Sequence, residues 1–389
     1  MKRQLVAAAA AAVLAGSSSL AAAEPVRVGM LVTLSGPAAA LGIQARDGFA
    51  LALGELGGRL GGVEAELLVE DIELEPDVAQ TKATALIERD GADIVVGTIF
   101  SNMLAAIFKP VIESDTVLIS PNAGPSIFAG RNCHPHFFAV SYQNDQNHEV
   151  LGRHAEDEGF ESVFLLAPNY QAGKDSLAGF KRHYTGTIAD EVYTPLGHQD
   201  FSAEIARIAA AAPDALFTFM PGGMGVRLVK QFRQAGLADD VVFLSAFTVD
   251  ETTLPAQGAD ALGFFGGGAW APDFDNAQSR AFTAAFEAAY EYIPGVYAAF
   301  GYDAAMLIDS AIAETGGDVA DTEALAEAVA EADFTSLRGD FRFNTNHFPI
   351  QDFYLLEVVQ REDGAFHTSI RERVFEDYGD VYAENCPME

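Results

Sequence analysis

The chain runs Val26-Arg27-Val28-Gly29-Met30-Leu31-Val32, then Ser35-Gly36-Pro37, then Phe49, Leu53 and Leu56 at i, i+4 and i+7. The first run is short and nearly all apolar, which fits a strand buried on both faces. Gly and Pro then break the chain, and the apolar spacing changes from strand-like to helical. The same pattern of strand, turn and helix repeats downstream. Strand Ala65 to Val69 precedes helix Val78–Arg89 and strand Ile94-Val95-Val96. The loop from Gly97 to Asn102 leads to a helix with Leu104, Phe108 and Val111 on one face. Strand Val117-Leu118-Ile119 ends in Ser120-Pro121-Asn122-Ala123-Gly124. Alternating β and α elements of this kind predict a parallel sheet covered by helices.

The pattern then begins again. Helix Glu149–Glu158 precedes strand Val163 to Leu166, whose exit loop is read as Ala167 to Gly173. Helix Ser202–Ala211 precedes strand Leu216 to Phe219, and helix Val226–Ala235 precedes strand Val241 to Leu244 with the loop Ser245-Ala246-Phe247-Thr248. The class is therefore α/β, with two doubly wound parallel-sheet lobes. The rest supplies helices at Ala277–Tyr292, Tyr302–Thr315 and Thr322–Glu331, then strands at Gly339–Phe343 and Phe353–Val359. These are too few strands for a third lobe, so the chain crosses between lobes more than once. Open α/β sheets bind ligands at the carboxyl ends of their strands, which makes the crevice between lobes the default site.

Charge narrows the partners. The 389 residues carry 23 Lys and Arg against 56 Asp and Glu, a net −33. A chain without a basic footprint is not expected to bind nucleic acid or anionic lipid. Residues 1–23 read as an export signal: Lys2 and Arg3, an Ala/Val/Leu run from Leu5 to Ala15, and Ala21-Ala22-Ala23 before Glu24. Its removal takes two positive charges, leaving −35. No Cys follows the apolar run, so no lipid anchor is expected, and no other stretch approaches the ~20 apolar residues of a membrane span. The expectation is a soluble periplasmic protein. Export permits a disulfide, and the two Cys, Cys133 and Cys386, allow one connectivity; the alternative is two free thiols.

Val26–Gly36, the loop from Gly97 to Asn102, the turn Ile119-Ser120-Pro121-Asn122-Ala123 and the segment Tyr297–Ala305 together resemble the type I periplasmic solute-binding proteins of ABC importers, in the leucine/isoleucine/valine-binding branch. Three longer strings resemble a subgroup that binds aromatic carboxylates: Ser141 to Gln146, Ala167 to Asp175, and Phe343 to Asp352. The resemblance implies a Venus flytrap of two lobes joined by three crossovers, near Ser141-Tyr142, Gly268-Trp270 and Gly339-Phe341. Lobe 1 is then 24–141 plus 271–338, and lobe 2 is 142–270 plus 339–389. It also implies membrane permease and ATPase partners, a small anionic aromatic ligand and a monomer, with no cofactor. A branched-chain or other amino acid is the alternative ligand, and delivery to a sensory receptor the alternative role.

In the amino-acid binders a Ser after the third strand and backbone groups at the next strand exit hold the ligand carboxylate. Those positions fall on Ser101, with Asn102 beside it, and on Asn122, Ala123 and Gly124. A helix N-terminus there favours an anion; the competing reading makes Ser101 or Asn102 only an N-cap. The amino-acid binders also place an acid on the second-lobe loop to pair the ligand ammonium. Here that position is Phe247, next to Thr248, with Asp250 and Glu251 out of register. A buried ammonium without a counter-charge is costly, whereas Phe247 fits an aromatic ring. Tyr142, Tyr170, Phe219, Trp270 and Tyr297 are candidates for further walls or hydroxyl donors, each also readable as core.

Other constellations are weak. Gly222-Gly223-Met224-Gly225 lacks the third glycine of a dinucleotide fingerprint, since Leu228 stands there. Cys133-His134-Pro135-His136 is too cramped for a metal site, and His148 and His154 fall on different helix faces. No nucleophile-elbow pattern occurs, so neither an enzyme nor a metal site is expected.

Overall fold

The computed structural model describes residues 24–388, so the export signal lies outside the described residues. Strands β1 (Val26–Val32), β2 (Arg59–Leu60), β3 (Val63–Asp71), β4 (Ile94–Gly97), β5 (Val117–Ser120) and β6 (Phe137–Ala139) form one sheet in the order β2-β3-β1-β4-β5-β6. All its pairings are parallel except the short β2–β3 hairpin. Strands β1, β4 and β5 are central and almost wholly buried, as their unbroken Val/Ile/Leu runs require.

The second sheet holds β7 (Ser162–Pro168), β8 (Thr187–Thr194), β9 (Ala215–Thr218), β10 (Val242–Leu244), β11 (Phe265–Gly268), β12 (Arg342–Phe343), β13 (Pro349–Gln360) and β14 (Phe366–Tyr378). Its order is β12-β13-β11-β10-β9-β7-β8, with β14 on β13. The β7–β11 part is parallel, but β12, β13 and β14 run antiparallel and give this lobe a mixed sheet. Strand β14 has no counterpart in the sequence reading. Its middle, Arg371-Glu372-Arg373, is exposed and charged, so apolar alternation is lost where the strand faces solvent. The strand expected over Gly339–Phe343 is reduced to Arg342–Phe343.

The helices are α1 (Ala39–Glu55), α2 (Pro76–Glu88), α3 (Ser101–Glu113), α4 (Ser126–Ala129), α5 (Gln146–Asp157), α6 (Gln171–His183), α7 (Ser202–Ala211), α8 (Gly223–Gln234), α9 (Leu254–Gln257), α10 (Ala277–Tyr290), α11 (Val296–Glu314) and α12 (Thr322–Glu331). Helix α11 begins six residues before its expected start at Tyr302, which puts Tyr297 in its first turn. The long loop read after β7 is only residues 169–170, because α6 starts at Gln171. Helices α1 and α11 pack backbone to backbone. A Cβ on Gly48 would lie 1.9 Å from the Ala298 carbonyl oxygen, and one on Gly301 2.1 Å from that of Ala45. Only glycine permits that approach.

The chain passes between the sheets three times: after β6, after β11 and before β12. Arg338 sits at this junction, nearly inaccessible. It donates to the Val140 carbonyl at 2.6 Å, to the Ser141 carbonyl at 3.0 Å and to Gln351 Oε1 at 2.5 Å, and pairs with Asp303 at 3.0 Å. Its guanidinium also lies over the rings of Phe300 and Phe341. Cys133 and Cys386 are disulfide-bonded across 253 residues, which ties the C-terminal tail to the segment before β6.

Candidate functional site

A narrow cleft lies between the two sheets. It is lined from the first lobe by Leu41, Ser101, Asn122 and Tyr297 and from the second by Tyr170, Phe219 and Phe247, with Tyr142, Asn144 and His148 following the first crossover. Among the described residues, no Lys, Arg, Asp or Glu lines it. What it has instead is helix N-termini. The first turns of α1, α3, α5, α6 and α11 each contribute a residue to the lining or border it. Their dipoles place partial positive charge at the cleft without a cation.

Ser101 is the first residue of α3. The N-cap is Phe100, which has no side chain able to cap, so Ser101 is not a cap. Its Oγ accepts from Asn144 Nδ2 at 3.1 Å. Asn144 is fully committed: its other N–H goes to Asp175 Oδ2 at 2.9 Å, and its Oδ1 accepts the Gly124 N–H at 3.0 Å. The Ser101 hydroxyl proton has no acceptor among the described residues and is free for a ligand. Asn122 lines the cleft but is spoken for: its Nδ2 donates to the Ile99 carbonyl at 2.6 Å, and its Oδ1 accepts from the Tyr142 hydroxyl at 2.5 Å. The Tyr142 proton is thereby used inside the protein. The hydroxyls of Tyr170 and Tyr297 have no partner among the described residues. Burial raises the pKa of all three phenols well above the ordinary value, so they remain neutral, and Tyr170 and Tyr297 remain proton donors.

Phe247 sits at the centre of an aromatic wall. Its ring stacks on Tyr142 at 5.3 Å and meets Tyr297 at 6.0 Å, His148 at 6.0 Å and Phe219 at 6.2 Å. Its φ is +63°, a region a Phe rarely enters. The turn that holds it is built by Thr248, whose Oγ1 accepts from the Met220 N–H and is bonded to Ser245 Oγ, and whose carbonyl accepts from Thr253 and Gln257.

Five sequence-predicted residues are not brought to the cleft. Trp270 is fully buried at the second crossover; its indole N–H donates to Ser279 Oγ at 2.9 Å and its ring packs on Phe282. Thr248 points inward to hold the Phe247 turn. The Ala123 N–H is spent on the Thr98 carbonyl and the Gly124 N–H on Asn144, so neither backbone donor is free. Asn102 does not line the cleft. Among the lining residues that sequence reasoning missed, two are polar. Asn144 lies in the stretch Ser141 to Gln146, but only the fold shows that it aims Ser101. His148 was weighed only with His154 as a metal pair; its place in the first turn of α5 was the available signal.

Asp250 stays outside the lining. Its Oδ1 accepts from the backbone and hydroxyl of Thr252, and its buried Oδ2 has no partner among the described residues. A second, wider cavity between α1 and the β13–β14 turn is lined by Glu251, Glu287, Glu291 and Asp363 against Arg361 alone, a poor place for an anion.

The sequence matches the family described as periplasmic binding protein over residues 25–365. The Leu/Ile/Val-binding protein homolog 6 of Brucella melitensis is 28% identical over 378 residues, covering 94% of this chain and 95% of its own. A solute-binding protein of an ABC transporter from R. palustris, solved in complex with benzoate, is 31% identical and superposes with a TM-score of 0.85, covering 93% of this chain and 99% of its own. A second such protein from R. palustris, in complex with 4-hydroxybenzoate, is 26% identical with a TM-score of 0.86, covering 91% and 98%.

Proposed function

The chain belongs to the periplasmic binding protein family, as a solute-binding protein of ABC importers, and we propose that the solute it captures is a small aromatic carboxylate of the benzoate or hydroxycinnamate kind. The observation that carries this reading is the lining itself: aromatic rings around Phe247, neutral donors at one end and no charged side chain. The carboxylate is received by the Ser101 hydroxyl and the open N–H groups of α3, with Tyr170 and Tyr297 as further donors. The ring lies against Phe247, Phe219 and Tyr142 by offset and edge contacts. Binding between two lobes couples occupancy to closure, and the closed form is what a membrane permease would recognise. The ATPase activity belongs to partner subunits, and no group in the cleft is assigned a catalytic role.

The relatives named for Leu/Ile/Val binding, together with the unpartnered Oδ2 of Asp250, favour a second reading in which the ligand is a branched-chain amino acid. Isothermal titration of the protein lacking residues 1–23 against benzoate, 4-hydroxycinnamate and leucine separates the two. Heat with an aromatic acid and none with leucine supports the proposal. Tight leucine binding with no aromatic-acid heat overturns it.

A further inference from the structure

His148 is a buried polar group with nothing to bind. It lines the cleft at 2% exposure, in the first turn of α5. Its Nδ1 is buried with no partner, and neither ring nitrogen has a hydrogen bond among the described residues. Its neighbours are the ring edges and faces of Phe217 at 5.7 Å, Phe219 at 5.2 Å and Phe247 at 6.0 Å, which offer no acceptor. Buried polar groups are rarely left unpaired, because desolvation without a partner costs free energy.

We propose that His148 is a specificity-determining residue that hydrogen-bonds a hydroxyl on the ligand ring, so that the solute is a hydroxylated aromatic carboxylate and not the bare ring acid. This rests on the aromatic-carboxylate reading. Position carries the first part of the argument. Asn144, which holds the Ser101 hydroxyl, stands just before α5, and His148 is the third residue of that helix; both line the cleft. Ser101, Phe247 and His148 line one cleft, with the Phe247 and His148 rings 6.0 Å apart, so a ligand whose carboxylate meets Ser101 has its ring against both. Chemistry carries the second part. Burial lowers the His148 pKa to about 3, so the imidazole is neutral, with one nitrogen donating and one accepting. A phenolic hydroxyl both donates and accepts, and satisfies either tautomer. A bare ring leaves the imidazole unpaired, and a site built around a hydroxyl discriminates strongly against the analogue lacking it.

Isothermal titration of the protein lacking residues 1–23 with benzoate, 3-hydroxybenzoate, 4-hydroxybenzoate and leucine tests this. At least one hydroxybenzoate is expected to bind about ten-fold or more tightly than benzoate. In His148→Phe that preference is expected to fall to within about three-fold. His148→Asn, too short to reach, is expected to lose preference likewise, and thermal melts report whether each variant folds. Equal affinities of wild type for all three acids overturn the inference while leaving the aromatic reading intact, and need no variant to fold. Full wild-type preference in either folded variant also overturns it. Binding of leucine alone overturns both readings together.

Discussion

Asn144 Nδ2 donates to Ser101 Oγ at 3.1 Å, so a residue just past the first crossover aims a hydroxyl on the other lobe. The amide has no freedom to turn, since Gly124 and Asp175 hold its other atoms. Ser101→Ala is expected to weaken binding of an aromatic carboxylate by about 1–3 kcal/mol, the value of a hydrogen bond to a charged group. Asn144→Ala removes the aim without removing the hydroxyl. A double-mutant cycle by calorimetry should return a coupling of at least about 0.5 kcal/mol; additive losses would show that the two side chains act separately.

Phe247→Glu places a carboxylate where the proposed ligand ring lies. Like charge and a polar wall should abolish detectable binding of benzoate-type acids. The same variant supplies the acid that an ammonium would need, so gain of leucine binding in it is the complementary expectation. Affinity for aromatic acids unchanged from wild type would place the ligand elsewhere.

The hinge makes a different demand. Arg338→Met removes the cation that faces Asp303 and the donors to Val140, Ser141 and Gln351. A buried carboxylate without its partner is expected to cost about 3–5 kcal/mol in urea unfolding. Adding Asp303→Asn should recover part of that loss, because the stranded charge is gone. A double variant less stable than the single one would mean that Asp303 is not the cause.

Stability should also respond to pH through Glu251. Burial pushes its carboxyl from 4.5 up to about 7, against donation from the Thr368 backbone and in the same direction as the neighbouring Asp250. The folded protein therefore binds this proton more tightly than the unfolded chain. The contribution to stability is fully present below the unfolded pKa and is lost as pH rises through about 7. Glu251→Gln removes that loss. Its melting temperature should match wild type near pH 4.5 and exceed it increasingly up to pH 8, by at most about 3 kcal/mol in stability. A difference that stays constant with pH would contradict this.

Much of the cleft was legible residue by residue. Ser101, Asn122, Tyr142, Tyr170, Phe247 and Tyr297 all line it, because they stand at strand exits or helix starts, and those ends of an α/β lobe are the ends that face the crevice. Trp270 also follows a strand exit, yet the crossover turns it into the core against Ser279 and Phe282. Spacing could not reveal that turn, since it depends on how α10 packs. The strand β14 was invisible for a related reason: an edge strand needs no apolar alternation on its solvent side.

Short apolar strands alternating with amphipathic helices are legible in the chain, and with them two α/β lobes with a crevice. Periodicity is a local property, and burial on one or both faces writes it directly into the chain. The chemistry of the crevice was decided only by the tertiary structure. The Ala123 and Gly124 N–H groups and the Tyr142 and Asn122 side chains spend their hydrogen bonds within the protein, while Ser101 and His148 are left with bonds to give. Whether a polar atom is free depends on partners from 20 to 43 residues away in sequence, and only folding brings those partners within hydrogen-bonding distance.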